Sequence, residues 1–166
     1  MSAMYARIHK STGTPPEGAR EASTYRRLAA NDELTVSLFD TQDEAAADPT
    51  AEWYEVESDD PGAGAPGGVA AFLYFDGPVS DAVHQAGGRA HRDRIAPAMR
   101  TQPGVGRALV LWQPQRRSAL VVSTAESIES MEAGQRAIAA MELLPGEDPA
   151  LLPGPNRVEL FRAVAS

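Results

Sequence analysis

Two stretches decide the fold when laid side by side: Leu34-Thr-Val-Ser-Leu-Phe-Asp-Thr-Gln-Asp-Glu-Ala-Ala-Ala47 and Leu120-Val-Val-Ser-Thr-Ala-Glu-Ser-Ile-Glu-Ser-Met-Glu-Ala133. Each is an apolar strand, then a capping residue, then an acidic helix start. An echo of this kind within one chain marks a fused pair of similar modules. The first strands of the two modules, Met4-Tyr-Ala-Arg-Ile-His9 and Ala71-Phe-Leu-Tyr-Phe-Asp76, sit about 67 residues apart, whereas the later echo sits about 86 apart. The first module is therefore short by roughly 19 residues, about the size of a helix with its loop. It is expected to have lost or shrunk its first helix and the strand that follows.

The second module reads as a complete unit. Val69 to Phe75 is a strand with almost no polar residue. Ser80 caps a helix running towards Gln102, interrupted by Gly87-Gly88 and Pro97, so a kink or two pieces are expected. Gly106 to Gln113 and Ser118 to Ser123 form a hairpin. Glu126 or Ser127 opens a second helix reaching Leu144, with Ile128, Met131, Ala137, Ile138 and Met141 on one stripe. Asn156 to Val164 is the last strand. Strand, helix, hairpin, helix, strand is the ferredoxin-like plan. In the first module, Met4 to Lys10, Leu34 to Phe39 and Trp53 to Glu57 read as strands. Glu17 to Ala30 could hold a short helix with Tyr25 and Leu28 on one side. Thr41 and Glu44 form a capping box for another helix, stopped by Asp48-Pro49.

The fold class is α+β: two fused ferredoxin-like modules whose antiparallel sheets pack face to face, the first module reduced. Residues 1–60 are assigned to the reduced module, 61–68 to a Gly/Pro linker and 69–166 to the complete module. A one-sided sheet alternates apolar and polar residues. Val69 to Phe75 and Ala108 to Trp112 do not, so something must cover the sheet face turned away from the helices. At about 25 cal/mol per Å², leaving it wet would forfeit several kcal/mol. The first module is the economical cover, and a homodimer partner is the alternative.

Composition narrows the function classes. The 166 residues contain no cysteine, which removes disulfides and thiolate metal sites. No apolar run is long enough to span a bilayer, and the N-terminus lacks a signal-peptide plan, so a cytoplasmic protein with no membrane partner is expected. A net charge of −8 argues against nucleic acid as a partner. Acid concentrates in Asp40 to Asp60, and arginine in Arg89, Arg92, Arg94, Arg100, Arg107, Arg116 and Arg117, which reads as two solvated faces. Walker, dinucleotide-binding, Gly-x-Ser-x-Gly and His-Glu-x-x-His motifs are all missing.

The stretches Ala71-Phe-Leu-Tyr-Phe75, His91-Arg-Asp-Arg-Ile-Ala-Pro-Ala-Met-Arg-Thr-Gln-Pro-Gly104, Ala108-Leu-Val-Leu-Trp112 and Leu120-Val-Val-Ser123, with the helix after Glu126, resemble the dimeric α/β-barrel superfamily. Within it they are similar to the antibiotic biosynthesis monooxygenase family. The resemblance covers about the last 100 residues, and it specifies fold more than activity. It implies two ferredoxin-like units with facing sheets and a small-molecule cavity between a sheet and its helices. Family members include oxygenases that use neither metal nor flavin, and haem-handling proteins. The family's Asn-Trp-His set is not found at matching positions.

Five side chains are candidates for such a cavity. His84 and His91 are seven apart, on one face of an unbroken helix, and either is a hydrogen-bonded surface histidine or a general base. Tyr74, Arg94 and Trp112 are candidate substrate contacts. The competing readings are a buried hydroxyl seeking a partner, an ion pair and core packing, respectively. Arg7 and His9 on one strand, and Glu55 and Glu57 on another, are expected to pair across a ladder. The expected partner is a small hydrophobic or aromatic ligand, with no cofactor and no metal. A cofactor-free oxygenase or cyclase of aromatic or polyketide-like compounds is one reading; a non-catalytic ligand-binding or assembly protein is the other.

Overall fold

The computed structural model describes residues 3–65 and 67–164. The strands are β1 (Tyr5–Lys10), β2 (Glu21–Arg27), β3 (Glu33–Phe39), β4 (Glu52–Pro61), β5 (Val69–Phe75), β6 (Val105–Gln113), β7 (Ser118–Ala125) and β8 (Arg157–Ala163). The helices are α1 (Gln42–Ala45), α2 (Asp81–Ala90), α3 (Ala96–Met99) and α4 (Ile128–Ala139), with a π-helical turn over His91–Ile95 joining α2 to α3. The strands close into one antiparallel barrel in the order β1-β3-β2-β8-β5-β7-β6-β4. Each half of that order is a ferredoxin-like sheet: β4-β1-β3-β2 from the first module and β8-β5-β7-β6 from the second.

The expectation of two sheets packed face to face is corrected in one respect. The sheets also join along both edges, β2 to β8 and β4 to β6, so neither has a free edge. Unpaired strand edges are costly and prone to aggregation, and closure removes them. The face left bare by the second module's helices becomes half of the barrel interior. Ala6, Val36, Leu38 and Tyr54 from the first module meet Phe72, Leu109, Leu111, Leu120, Val122 and Phe161 from the second in a single buried cluster. The outward faces of the second module's strands pack under its helices: Ala71 and Ala125 against Met131, and Val105 and Ala108 against Met99.

A second correction concerns residues 17–30, read as a short helix. Residues 21–27 form β2 instead. The alternation of Tyr25, which is buried in the core, with the exposed Arg26 suits a strand. Two neighbours, β3 and β8, offer open backbone hydrogen-bonding groups that only a strand can satisfy. Among the described residues no helix lies between β1 and β2, and the strand expected to be lost or shrunk is present as β2. The first module's connection over residues 11–20 stands where residues 76–104 carry the helical segment of the second module, which accounts for the shortfall of roughly 19 residues.

Capping follows the sequence closely. The hydroxyls of Thr41, Ser80 and Ser127 each accept a bond from the backbone N–H three residues on, at α1, α2 and α4. Gly87-Gly88 lies inside α2 without breaking it. The irregularity falls later. The Ala96 N–H bonds back five residues to His91 O, and Pro97, which has no N–H to give, follows at the start of α3. Helix α4 stops at Ala139, short of Leu144, and Met141 lies exposed beyond it. The Gly/Pro stretch after β4 is docked. The Gly62 and Gly64 amides donate to the Gly106 and Val105 carbonyls, and a Cβ at Gly64 would sit 2.6 Å from the Gly104 backbone. Pro66 of that stretch lies outside the described residues.

Candidate functional site

Strand β4 carries the acidic half of the site, and a bulge aims it. Val56 pairs with Leu111 and Ser58 with Val110, so Glu57 is the extra residue between them. A bulge bends the strand and redirects its side chains. Glu57 and Asp60 face outward under α2 and its π-helical continuation, where two histidines meet them. His84 Nε2 lies 2.9 Å from both Glu57 carboxylate oxygens, and His91 Nε2 lies 2.8 Å from Asp60 Oδ2. The expected seven-residue relation between the histidines is what lets one helical face reach two carboxylates along one strand.

The chemistry of each pair follows from what its members can do. An ionised carboxylate only accepts, so Nε2 carries the proton and, in the neutral ring, Nδ1 keeps its lone pair. Among the described residues Nδ1 of neither ring has a hydrogen-bond partner. Each imidazole is thus oriented by an anion and holds one basic nitrogen in reserve, the arrangement required of a general base. Burial alone would raise the Asp60 pKa. Hydrogen bonds from Ser58 and His91 and the charges of His91 and Arg100 outweigh it, holding the carboxyl below its ordinary range.

Trp112 completes the cluster on β6. The His84 ring stacks on its indole with centroids 3.7 Å apart and planes 10° from parallel. The Arg117 guanidinium lies 5.3 Å from the same ring and bonds to Asp81 and to the Val79 carbonyl. Trp112 itself is buried.

The other two candidates are placed apart from this cluster. Arg94 is buried, and its Nε and Nη2 both bond to Glu147. Glu147 also accepts from the Leu144 amide, so the pair ties the loop after α4 to the π-helical turn. The Arg94 hydrogen bonds hold the Glu147 carboxyl below its usual range. Tyr74 lies on the opposite side of its sheet, at an end of the barrel interior, packed against the core. The expectation that it shares a helix–sheet pocket with His84, His91 and Trp112 is corrected. Strand alternation puts it on the same face as Phe72, turned inward.

Glu57 and Asp60 were missed as members of the site. The expected ladder pairing of Glu55 and Glu57 with Arg7 and His9 does not form. Arg7 faces Trp53 across the ladder and donates to the Ala45 and Glu44 carbonyls, and His9 bonds to Ser37. The acidic run Glu55 to Asp60 was visible in the sequence, but the bulge that turns Glu57 to the helix leaves no local mark there.

No protein-family model matches the sequence, and no curated protein is significantly similar to it. Solved structures do match, over nearly the full chain. One is a ferredoxin-fold protein related to antibiotic biosynthesis monooxygenases from Listeria monocytogenes, with TM-score 0.67 and 11% identity over 100% of this chain and 97% of that one. Another is a monooxygenase-like protein from Listeria innocua, with TM-score 0.68 and 10% identity over 99% and 96% of the two chains. A third is an anthrone oxidase-like protein, with TM-score 0.60 and 13% identity over 99% and 92%. This chain therefore shares the ferredoxin-like, α/β-barrel fold of antibiotic biosynthesis monooxygenase-like proteins. At these identities the likeness is one of fold.

Proposed function

We propose that the protein binds a small aromatic or polyketide-like compound against the face between α2 and strands β4 and β6, and acts on it as a cofactor-independent oxygenase or cyclase. The observation that carries this reading is the pair of carboxylate-held imidazoles, His84 with Glu57 and His91 with Asp60, each with Nδ1 unengaged among the described residues. A histidine so held can take a proton from a phenol, or from a carbon beside a carbonyl, and stabilise the charge it acquires. An electron-rich aromatic anion then reacts with dioxygen, or an enolate with a carbonyl of the same molecule. His91 is the preferred base, because its pair is the more enclosed: its side chain is 12% exposed against 28% for His84. The anthrone oxidase-like structural relative suggests anthrone-type phenols as first substrates.

Dioxygen uptake in the presence of an anthrone tests this directly. Wild-type protein should turn over, and His91→Ala should lose about 100-fold or more in rate while ligand affinity changes little. Binding with no turnover in the wild type would favour the rival reading, a non-catalytic binding or assembly protein. The assembly form of that reading has its own support: the His84 ring occupies the Trp112 face on which an aromatic ligand would stack.

A further inference from the structure

A second site lies on the other side of the sheet, at the mouth of the barrel where β4 and β8 begin and β5 ends. The β6–β7 hairpin forms one of its walls. It is a cleft of about 560 Å³, within the range of small-molecule sites. Its floor is closed by the packed interior, where Phe72, Phe161, Leu111 and Leu120 are essentially inaccessible, so an occupant is held at the rim.

The polar groups of this mouth are unevenly spent. Gln113 lines it and is only 6% exposed. Its amide makes two long contacts, Nε2 to the Trp53 carbonyl at 3.4 Å and Oε1 from the Ser118 hydroxyl at 3.3 Å, which leaves one N–H of the amide over. The Tyr54 hydroxyl donates to Glu52, whereas the Tyr74 hydroxyl has no hydrogen-bond partner among the described residues. Burial pushes the Tyr74 pKa up, so its O–H stays protonated and remains a donor. Arg157 lies 3.8 Å from the Tyr74 ring centroid and reaches Asp76 with Nε at 3.3 Å. Arg116 spends one nitrogen on Glu52. Each guanidinium offers five N–H groups, and most of them remain unspent. The acidic groups of the mouth are engaged by these arginines and by Tyr54, so the surplus is in donors. An occupant must bring acceptors, and the flat surfaces of the Tyr74 ring and the guanidinium stacked on it favour a planar one.

We propose that this mouth binds a small planar organic carboxylate. Its carboxylate bonds to Arg116 and Arg157, which suit a two-oxygen acceptor, and Gln113 and Tyr74 donate to its other oxygens. The site is separate from the imidazole–carboxylate cluster, which faces the opposite side of the sheet.

Benzoate is the probe. Titrated into the full chain and followed by calorimetry and amide NMR shifts, it should saturate, with shifts centred on residues 113–118 and 157. Arg157→Ala and Arg116→Ala should each weaken it by about 10-fold. Both side chains are more than half exposed, so these variants keep the fold, and an unchanged melting temperature checks this. His84→Ala should leave benzoate affinity unchanged, which separates this result from the fate of the oxygenase or cyclase reading. Failure to saturate at tens of millimolar, equal binding by the arginine variants, or tighter binding of benzylamine than benzoate would each overturn the proposal.

Discussion

Phe161 lies at 0% exposure on β8, with its ring 4.4 Å from that of Phe72 and the Arg27 guanidinium 5.0 Å from its centroid. It packs at the seam where the second module's last strand meets the first module's β2. Phe161→Ala should therefore cost about 3–5 kcal/mol in urea unfolding, because the surrounding barrel wall cannot collapse into the space. A loss below about 1 kcal/mol would mean that the interior is loosely packed. Asp60 sets an acid limit at the same scale. Its folded pKa is depressed, so its contribution is fully present above the ordinary carboxylate pKa of about 4 and is lost as pH falls through the folded value. Asp60→Asn should flatten the decline of the urea midpoint between about pH 5 and pH 3. A slope unchanged from wild type would remove Asp60 from the acid response.

Elements show where a residue rule of thumb reverses. Gly88 stands inside α2 with open space where a Cβ would go. Gly88→Ala should stabilise by about 0.5–1 kcal/mol, the usual difference in helix propensity. Gly134 in α4 has the same propensity penalty, but its Cβ would come within 2.7 Å of Val105 Cγ2. Gly134→Ala should therefore gain less than Gly88→Ala or destabilise outright, because the glycine lets α4 sit close on the sheet. Thermal melts of the two variants side by side check this contrast. The π-helical turn belongs to the same scale. It places His91 over Asp60 just before Pro97, where a regular helix would have wanted an N–H.

The whole molecule has one interior, not two. The largest buried cluster draws on both modules, and Arg107 joins β6 to β4 along their seam through Asp59 and to β2 across the barrel through Glu21. The hydrogen bonds that Arg107 donates to Asp59 and Glu21 raise its pKa further above its already high value. Unfolding should accordingly be a single cooperative step, with near-ultraviolet circular dichroism and tryptophan fluorescence giving coincident transitions. Residues 1–65 and 67–166 expressed separately should each fail to fold, since each would expose a sheet face and two strand edges. Two resolved transitions, or a folded isolated half, would contradict this.

Much of this was legible in the amino-acid order. Apolar runs, alternating or continuous and bounded by turn residues, marked seven of the eight strands, and Thr41, Ser80 and the Glu126-Ser127 pair marked three helix starts. These are local properties, set by side-chain periodicity and backbone capping within a few residues. The strand nature of β2 was not local. Residues 21–27 carry no strong helix or strand signal, and it was the open edges of β3 and β8 that drew them into the sheet. The partners of the candidate residues were decided in the same way. Glu57 reaches His84 through a bulge, and Tyr74 falls inside the barrel while Trp112 falls outside it, because the sheet closed on itself. Closure pairs residues far apart in the chain, Glu55 with Trp112 at one seam and Tyr25 with Ala163 at the other, and no short stretch of sequence encodes it.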